Sequence, residues 1–322
     1  MKAAIYYETG APEVFRYEDV PDPVCGPDGV VIDVGAVSIE GGDTLNRLGG
    51  EMAGKPHIVG YQCAGVISEV GGEVADRSVG QRVVSVGMNG SHAARRALPA
   101  ASTWIIPESL DLERAACVPI AVGTADDCLF EFGHLQKGES VLVHAGAGGV
   151  GMAAIQLAAQ AGATVLATAS SDAKLARLAD FGLDHGINYA TTDFVAAARE
   201  LTGGRGPDLV VDSIGGRTLQ KSMECAAYRG RIISVGGAGR EDFTPDVSIL
   251  RPNNKTLTGV FLGAELFFNT ARVHPMIQRQ LQAVAEGTLQ IEIDRSYPLA
   301  EAAAAHAYIE SRAAVGRVIL VP

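Results

Sequence analysis

The chain has 322 residues, of which 47% are hydrophobic, so it is long enough for about two domains with buried cores. Its 37 acidic residues outnumber its 26 basic residues, and the net charge of −11 argues against nucleic acid or an anionic membrane as partner. No apolar run reaches the roughly 18 residues of a membrane-spanning helix. The five cysteines are scattered without a C-x-x-C pair, which favours a cytoplasmic protein without disulfides.

The first part of the chain, to about residue 117, is rich in short strand-like runs separated by glycine and proline clusters. Strands are predicted at 2–7, 29–37, 64–70 and 82–86. This pattern is typical of a compact, irregular β-barrel. The alanine-rich segment 112–132 is predicted to be helical and to carry the chain into a second domain.

From Ser140 onward the pattern changes to strands and helices in alternation, which predicts a parallel sheet with helices on both faces. The predicted strands are 140–145, 164–169, 185–189, 208–212, 230–235 and 256–261, and the predicted helices are 149–161, 172–181, 191–202 and 216–227. Six such strands match a complete dinucleotide-binding fold. After residue 262 we expect a helix and a final strand at 316–321 to rejoin the first domain.

A glycine-rich turn, G-x-G-x-x-G, follows the first of these strands at Gly146, Gly148 and Gly151. We interpret Gly146 as allowing a sharp turn, Gly148 as letting the backbone approach a pyrophosphate, and Gly151 as letting the helix pack closely on the strand. The helix N-terminus would then offer N–H groups to the phosphates, and Gly162 would end the helix. A tight turn that binds nothing is the alternative.

The end of the second strand indicates which dinucleotide is bound. NAD enzymes usually place Asp or Glu about 20 residues past the glycine motif, on the ribose 2′-hydroxyl. Here that position holds Ser170 and Ser171, followed by Asp172 and Lys174. Two hydroxyls and an ammonium suit the 2′-phosphate of NADPH, and we interpret Asp172 as an N-terminal helix residue turned away from it.

Several further motifs complete the pattern, and together they are specific. These are Gly60-(x)4-Gly65-Val-Ile-(x)2-Val70-Gly, Val79-Gly80-(x)-Arg82-Val83, Ile187-Asn-Tyr189, Leu201-Thr-Gly-Gly204, Val211-Asp-Ser-Ile-Gly215 and the ending Gly316-Arg317-Val-Ile-Leu-Val-Pro322. The chain resembles the zinc-independent quinone oxidoreductase branch of the medium-chain dehydrogenase/reductase superfamily over almost its whole length.

The resemblance implies an α/β protein with a GroES-like β-barrel catalytic domain, 1–117 and 262–322, and a six-stranded Rossmann domain, 118–261. It implies reduction of quinones or α,β-unsaturated carbonyls with NADPH. It also implies a homodimer or a multiple of it, paired through the strand at 256–261.

The resemblance further assigns a set of residues to the cofactor. They are Thr124, Gly146, Ala147, Gly148, Gly149, Val150, Gly151, Ser170, Ser171, Lys174, Tyr189, Ser213, Val235, Gly236, Phe261, Leu262 and Arg317. Two positions on predicted strands remain open to other interpretations. His144 is expected to be structural, and Asp212 is either functional or a cap for the helix from Gly216.

Zinc is not expected. Related alcohol dehydrogenases have a Cys near the position of Ser38–Glu40 and a Gly-His-Glu where this chain has Gly60-Tyr61-Gln62. A catalytic zinc needs about three Cys, His or carboxylate ligands. The sequence therefore predicts chemistry without a metal.

The segment 40–47 departs from the family pattern Asn-Pro-x-Asp-x-Tyr-x-Arg. Asp43 and Arg47 match it, whereas Glu40 and Leu45 replace the Asn and the Tyr. We favour a structural ion pair between Asp43 and Arg47, although Asp43 stays a catalytic candidate. Glu40 is either a surface residue or a catalytic carboxyl with a raised pKa.

Three more residues of this region are candidates, and the function has alternatives. Gln62 is a catalytic candidate, Tyr61 and Leu45 are candidates for substrate contact, and His92 is expected to pack under the barrel. The alternative functions are a zinc-free alcohol or aldehyde dehydrogenase and a non-catalytic NADPH-binding sensor or structural protein.

Overall fold

The computed structural model describes all 322 residues, which form two compact units. Unit 1 contains Met1–Ala121 and Leu266–Pro322, and unit 2 contains Val122–Glu265. The strands are β1 (Lys2–Ile5), β2 (Arg16–Asp19), β3 (Gly29–Ser38), β4 (Gln62–Val70), β5 (Arg82–Val86), β6 (Arg95–Pro99), β7 (Thr103–Ile105), β8 (Ser140–Val143), β9 (Thr164–Ala169), β10 (His185–Asn188), β11 (Leu209–Asp212), β12 (Arg231–Ser234), β13 (Thr256–Gly259), β14 (Ile293–Pro298) and β15 (Arg317–Val321).

The longest helix, of 16 residues, lies in unit 1, and the helices between the strands of unit 2 have 7 to 12 residues. The helices are α1 (Gly41–Gly49), α2 (Leu112–Ala116), α3 (Val118–Asp126), α4 (Gly149–Gln160), α5 (Asp172–Leu178), α6 (Phe194–Leu201), α7 (Gly216–Cys225), α8 (Leu262–Phe268), α9 (Thr270–Ala285) and α10 (Ala302–Glu310). No helix combines the length and the apolar character needed to cross a membrane.

Unit 1 is built around a seven-stranded sheet in the order β14-β15-β3-β4-β5-β7, with β6 also paired to β3. The long strand β3 pairs antiparallel with β4, β6 and β15. Its residues are buried along nearly the whole strand because partners cover both of its edges and α2 packs against it. Val30 and Ile32 contribute to one apolar cluster of the unit, and Val34 and Val37 contribute to another.

Unit 2 is a parallel six-stranded sheet in the order β10-β9-β8-β11-β12-β13. Parallel strands covered by helices on both faces are apolar throughout, and all four residues of β8 and of β11 are buried. The core contains Leu142, Leu166, Val210 and Ile232 from four neighbouring strands. This order confirms the predicted dinucleotide-binding sheet, and each strand lies within two residues of its predicted bounds.

The alanine-rich segment 112–132 is not one helix. It divides into α2, α3 and a π-helical turn at Asp127–Glu131. Pro119 explains the first break, because a proline lacks the N–H that would continue the α2 hydrogen bonds. The N–H of Ile120, in the first turn of α3, instead donates to the Gln62 side chain at 3.0 Å.

Candidate active site

The glycine-rich turn leaves the N-terminus of α4 open to a ligand. Gly148 precedes the helix, and no side chain caps it. A Cβ at Gly151 would lie 2.3 Å from the carbonyl oxygen of Ala145, so only glycine fits there. At Gly148 a Cβ would meet only that same oxygen, at 3.3 Å. The uncapped N–H groups fit the pyrophosphate of a dinucleotide.

The sharp turn itself is made by Ala145, whose φ is +51°, and the interpretation of Gly146 was wrong. A Cβ at Gly146 would lie 2.9 Å from Cβ of Ala167 and 3.1 Å from Cδ1 of Leu178. Gly146 is therefore required because neighbouring side chains pack directly on it. Gly151 has the predicted role, and Gly162, with a φ of +77°, follows the end of α4 as expected.

The residues predicted for the 2′-phosphate converge at the ends of β9 and β10. The register pairs Asn188 with Ala169, and the N–H of Tyr189 donates to the Ala169 carbonyl at 3.1 Å. Tyr189 therefore lies beside Ser170. The Ser171 hydroxyl caps α5 by accepting from the N–H of Lys174 at 3.3 Å.

Asp172 is the acidic residue among the candidates for the 2′-phosphate, and a neighbouring side chain binds its carboxylate. Its carboxylate accepts a hydrogen bond from the Asn188 side chain at 3.0 Å. The carboxylate is thus engaged with the segment that ends β10, and it lies in the first turn of α5, where the helix dipole favours negative charge. This contact agrees with its interpretation as an N-terminal helix residue.

The other predicted cofactor residues of unit 2 also follow strand ends. Ser213 follows β11 and lies against Gly236, where a Cβ would be 3.1 Å from the Ser213 carbonyl oxygen. Val235 follows β12, and its N–H donates to the Asp212 carbonyl at 2.9 Å. Phe261 lies two residues after β13 and is exposed, and Leu262 begins α8 and is buried. Thr124 is buried on α3, away from the strand ends in sequence.

A buried hydrogen-bond chain lies behind this edge of the sheet. The imidazole of His144 bonds to Thr168 Oγ1 and to Ser222 Oγ, both at 3.0 Å, and Ser222 donates to Asp212 at 2.7 Å. The other Asp212 oxygen accepts from the N–H groups of Ile214 and Gly215. Burial lowers the pKa of His144. His144 is structural as expected, and Asp212 holds the turn into α7.

In unit 1, Glu40 belongs to a buried polar cluster, and its interpretation as a surface residue is wrong. Glu40 is 5% exposed, forms an ion pair with Arg317 and accepts a hydrogen bond from the Gln62 amide. Arg317 also donates to Ser38 Oγ at 2.6 Å and to the Ile39 carbonyl at 2.9 Å. Burial raises the pKa of the Glu40 carboxyl, whereas the Arg317 guanidinium acts to lower it.

The cluster occupies the positions at which related alcohol dehydrogenases hold zinc, and it does not fit that metal. A guanidinium is bonded to Ser38 and Glu40, and an amide at Gln62 replaces a carboxylate. Nowhere in the 322 residues do three His, Cys, Asp or Glu side chains form a group that could hold a metal ion. A catalytic zinc needs such a set.

Asp43 anchors the start of α1. Its two carboxylate oxygens accept from the N–H of Glu40 at 2.9 Å and from the N–H of Tyr61 at 3.2 Å. Burial raises the pKa of Asp43 to about 8. Arg47 is fully buried and forms an ion pair with Glu310 of α10, so the expected ion pair between Asp43 and Arg47 was wrong.

The remaining candidates of this region differ in exposure. Leu45 is 38% exposed on α1, and Tyr61 is half-buried with its hydroxyl 2.9 Å from Nδ2 of Asn46. His92 is fully buried as expected, but its Nε2 bonds to Nε2 of His306 at 3.0 Å. Sequence reasoning missed Asn46 and His306. The only sequence signal for Asn46 is its position, because a polar residue four positions after Gly42 lies on the same face of a helix.

Two family models match the chain. The one described as an alcohol dehydrogenase GroES-like domain covers residues 26–108, and the one described as a zinc-binding dehydrogenase covers residues 149–280. The 2-haloacrylate reductase of Burkholderia sp is 34% identical in an alignment of 328 positions, gaps included. The alignment covers 99% of this chain and 98% of that protein.

Solved structures agree with these matches along the full length. The quinone oxidoreductase of Pseudomonas syringae pv. Tomato superposes with a TM-score of 0.93 at 30% identity, covering 100% of this chain and 99% of that one. The Escherichia coli quinone oxidoreductase, solved with NADPH, gives a TM-score of 0.95 at 27% identity with 100% of both chains covered. The chain therefore belongs to the medium-chain dehydrogenase/reductase superfamily, in its quinone oxidoreductase branch.

Proposed function

We propose that the protein reduces a quinone or an α,β-unsaturated carbonyl compound with NADPH and without a metal. One observation carries the proposal. In unit 2, six loops each follow the carboxyl end of a strand in one parallel sheet. They are the glycine turn after β8, the loop with Ser170 after β9, the loop with Tyr189 after β10, and the loops after β11, β12 and β13. Ligands of such sheets bind at that edge.

The choice of NADPH rests on the end of β9. Ser170, Ser171 and Lys174 offer hydroxyls and an ammonium there, and the nearby Asp172 carboxylate is bonded to Asn188. The E. coli structural relative was solved with NADPH. When bound, NADPH supplies a hydride, which carries two electrons to the substrate. The chain itself binds the dinucleotide and orients it.

Unit 1 supplies the candidates for substrate contact. Leu45 and Tyr61 are at least partly exposed, and we propose that they line the substrate site. Glu40 and Gln62 are buried behind them in the Arg317 cluster, and Asp43 holds the N-terminus of α1. We therefore assign Glu40, Asp43 and Gln62 to positioning rather than to contact with the reacting atoms. The resemblance would place Arg317 against the cofactor, but its side chain bonds to Ser38, Ile39 and Glu40, which all belong to unit 1.

The test follows NADPH absorbance, which falls when a quinone, an enone or a saturated aldehyde is reduced with NADPH, and which rises when a saturated alcohol is oxidised with NADP+. Turnover with quinones or enones, and not with saturated alcohols, supports the proposal. Preference for alcohols would favour a zinc-free alcohol dehydrogenase, and tight NADPH binding with no turnover would favour a sensor. Chelation and elemental analysis complete the assay, because one zinc per chain would contradict the metal-free reaction.

We also propose a homodimer in the cytoplasm. The strand β13 forms one edge of the sheet, and an unpaired edge followed by exposed Phe261 invites pairing with a second copy. All five cysteines are free, which suits a reducing compartment. Light scattering that gives a monomer at every concentration would contradict the dimer.

A further inference from the structure

The phenol of Tyr61 lies on the helix from which the family's tyrosine is missing. Leu45 occupies that family position in α1, so no hydroxyl is available there. Tyr61 comes from the segment before β4, yet its ring rests on the first turn of α1. A Cβ at Gly42 would lie 2.4 Å from Cε2 of Tyr61 and 2.8 Å from its hydroxyl oxygen. Glycine at position 42 is what allows this approach.

The Tyr61 hydroxyl lies on the face of α1 that also carries position 45. Its oxygen lies 2.9 Å from Nδ2 of Asn46, so it sits over Gly42 and Asn46, which are neighbours one turn apart on the helix face. Position 45 lies on that same face. A tyrosine from outside the helix thus brings a hydroxyl to the face of α1 on which the family pattern has its own tyrosine.

The backbone of Tyr61 is held on both sides. Its N–H donates to Asp43 Oδ1 at 3.2 Å, and its carbonyl accepts from the N–H of Gly87 at 2.8 Å and from Arg96 at 3.0 Å. With the ring against Gly42 and the hydroxyl on Asn46, the side chain has little freedom left. A donor fixed in this way loses little entropy when it binds a substrate oxygen.

The direction of the Asn46 contact leaves the phenol proton for a ligand. Because the amide N–H donates, the phenol oxygen accepts, and its own O–H has to point to another acceptor. Burial raises the pKa of Tyr61, and the Asp43 and Glu40 carboxyls raise it further, while the Asn46 hydrogen bond acts to lower it. The phenol therefore stays protonated at neutral pH.

We propose that the Tyr61 hydroxyl, oriented by Asn46 and Gly42, donates a hydrogen bond to the carbonyl oxygen of the substrate. The inference rests on the proposed function. When hydride adds to the β-carbon of an enone, the π pair of the C=C bond forms a new double bond between the α-carbon and the carbonyl carbon, and the π pair of the C=O bond moves onto the oxygen. The Tyr61 O–H gives its proton to that oxygen, and water returns a proton to the phenolate. One hydride and one proton are consumed, which balances the reduction.

The experiment compares Tyr61→Phe with wild type, using an enone and 1,4-naphthoquinone as probes and NADPH as donor. Removal of one preorganised oxyanion donor lowers kcat about 100-fold, and we expect this loss with NADPH affinity and thermal stability unchanged. Tyr7→Phe is the matched control, since Tyr7 donates to Glu18 on an exposed surface. It should keep wild-type kcat.

Two further variants test whether the Tyr61 hydroxyl acts in catalysis or only supports the local structure. Asn46→Asp would turn the neighbour into an acceptor of the phenol proton, so kcat should fall as in Tyr61→Phe. Leu45→Tyr added to Tyr61→Phe returns a hydroxyl to the adjoining position and should recover at least about 10-fold in kcat.

Each result decides one question. A Tyr61→Phe variant within about threefold of wild-type kcat overturns the inference, as does a loss explained by lower stability or weaker NADPH binding. Wild-type protein that binds NADPH but reduces neither probe contradicts the proposed function instead. The two failures are therefore distinguishable.

Discussion

The two units build their candidate sites by different means. In unit 2 the site is made largely of backbone groups at strand ends and an uncapped helix, drawn from short, continuous motifs. In unit 1 it is made of side chains such as Glu40 and Arg317, which are 277 positions apart in sequence and paired in a buried cluster. A backbone site depends on shape, whereas a side-chain cluster depends on charge and hydrogen bonding. The two should therefore fail in different ways when they are changed.

The largest expected effect is in unit 1. Arg317→Met leaves the buried Glu40 carboxyl without its charge partner, and the free energy of unfolding should fall by about 3–5 kcal/mol in urea denaturation near pH 8. Glu40→Gln added to Arg317→Met removes the unpaired charge and should restore part of that loss.

The matched control for the buried Arg317–Glu40 pair is an ion pair on the surface. Arg217 is 68% exposed and pairs with Glu241, so Arg217→Met should cost at most about 1 kcal/mol. If Arg317→Met costs no more than Arg217→Met, the polar cluster does not stabilise unit 1 as described.

The next effect concerns binding in unit 2 and leaves stability unchanged. Lys174→Ala should weaken NADPH binding about ten- to a hundred-fold, because a charge-assisted hydrogen bond contributes roughly 1.5–3 kcal/mol. NADH, which lacks the 2′-phosphate, should bind almost as before. Titration of both dinucleotides by fluorescence measures this, with Lys221→Ala on α7 as control. Equal weakening for the two cofactors would contradict the assignment of Lys174.

Substitutions of two glycines in the glycine-rich turn should affect stability and NADPH binding separately. Gly151→Ala places a Cβ 2.3 Å from a backbone oxygen, and about 1–3 kcal/mol of stability should be lost. Gly148→Ala meets that oxygen at 3.3 Å and should unfold close to wild type while binding NADPH more weakly. Thermal unfolding and cofactor titration are read together. Equal stability losses would refute the separate roles of these two glycines.

The smallest predicted effect is a pH dependence of stability from unit 1. Burial lowers the pKa of His92 to about 3, from an ordinary value near 6.5. The unfolded chain therefore binds a proton that the folded chain does not, and stability declines as the pH falls below about 6.5. At pH 5 the loss from His92 is about 2 kcal/mol relative to pH 7.5.

The control for this pH effect replaces both members of the buried pair. His306 is bonded to His92, and burial also lowers its pKa. The variant His92→Leu/His306→Leu removes both titrating groups; it also removes the hydrogen bond between His92 Nδ1 and Ser91 Oγ, so the difference between the two pH values is compared and not the absolute stability. Urea midpoints at the two pH values should then differ less than in wild type. An unchanged pH slope would show that other groups cause it.

The sequence by itself determined the parts of the protein that depend on local patterns. The alternation of strands and helices after Ser140, the role of Gly151 and the convergence of Ser170, Lys174 and Tyr189 follow from periodicity and short motifs. Such features are set by residues close together in the chain, and consecutive parallel strands end at the same edge of the sheet. Gly146 shows the limit, because its role comes from Ala167 and Leu178, which reach it only after folding.

Only the tertiary structure decided how the polar side chains of unit 1 are paired. Glu40 could not be placed from the sequence because its partner, Arg317, enters on the last strand. Arg47 likewise pairs with Glu310 on α10, and Tyr61 reaches Asn46 from a different segment. The physical reason is that a charge or a hydroxyl has no periodic signature. Its partner is chosen by which chain segments pack together, and its pKa by how far that packing excludes water.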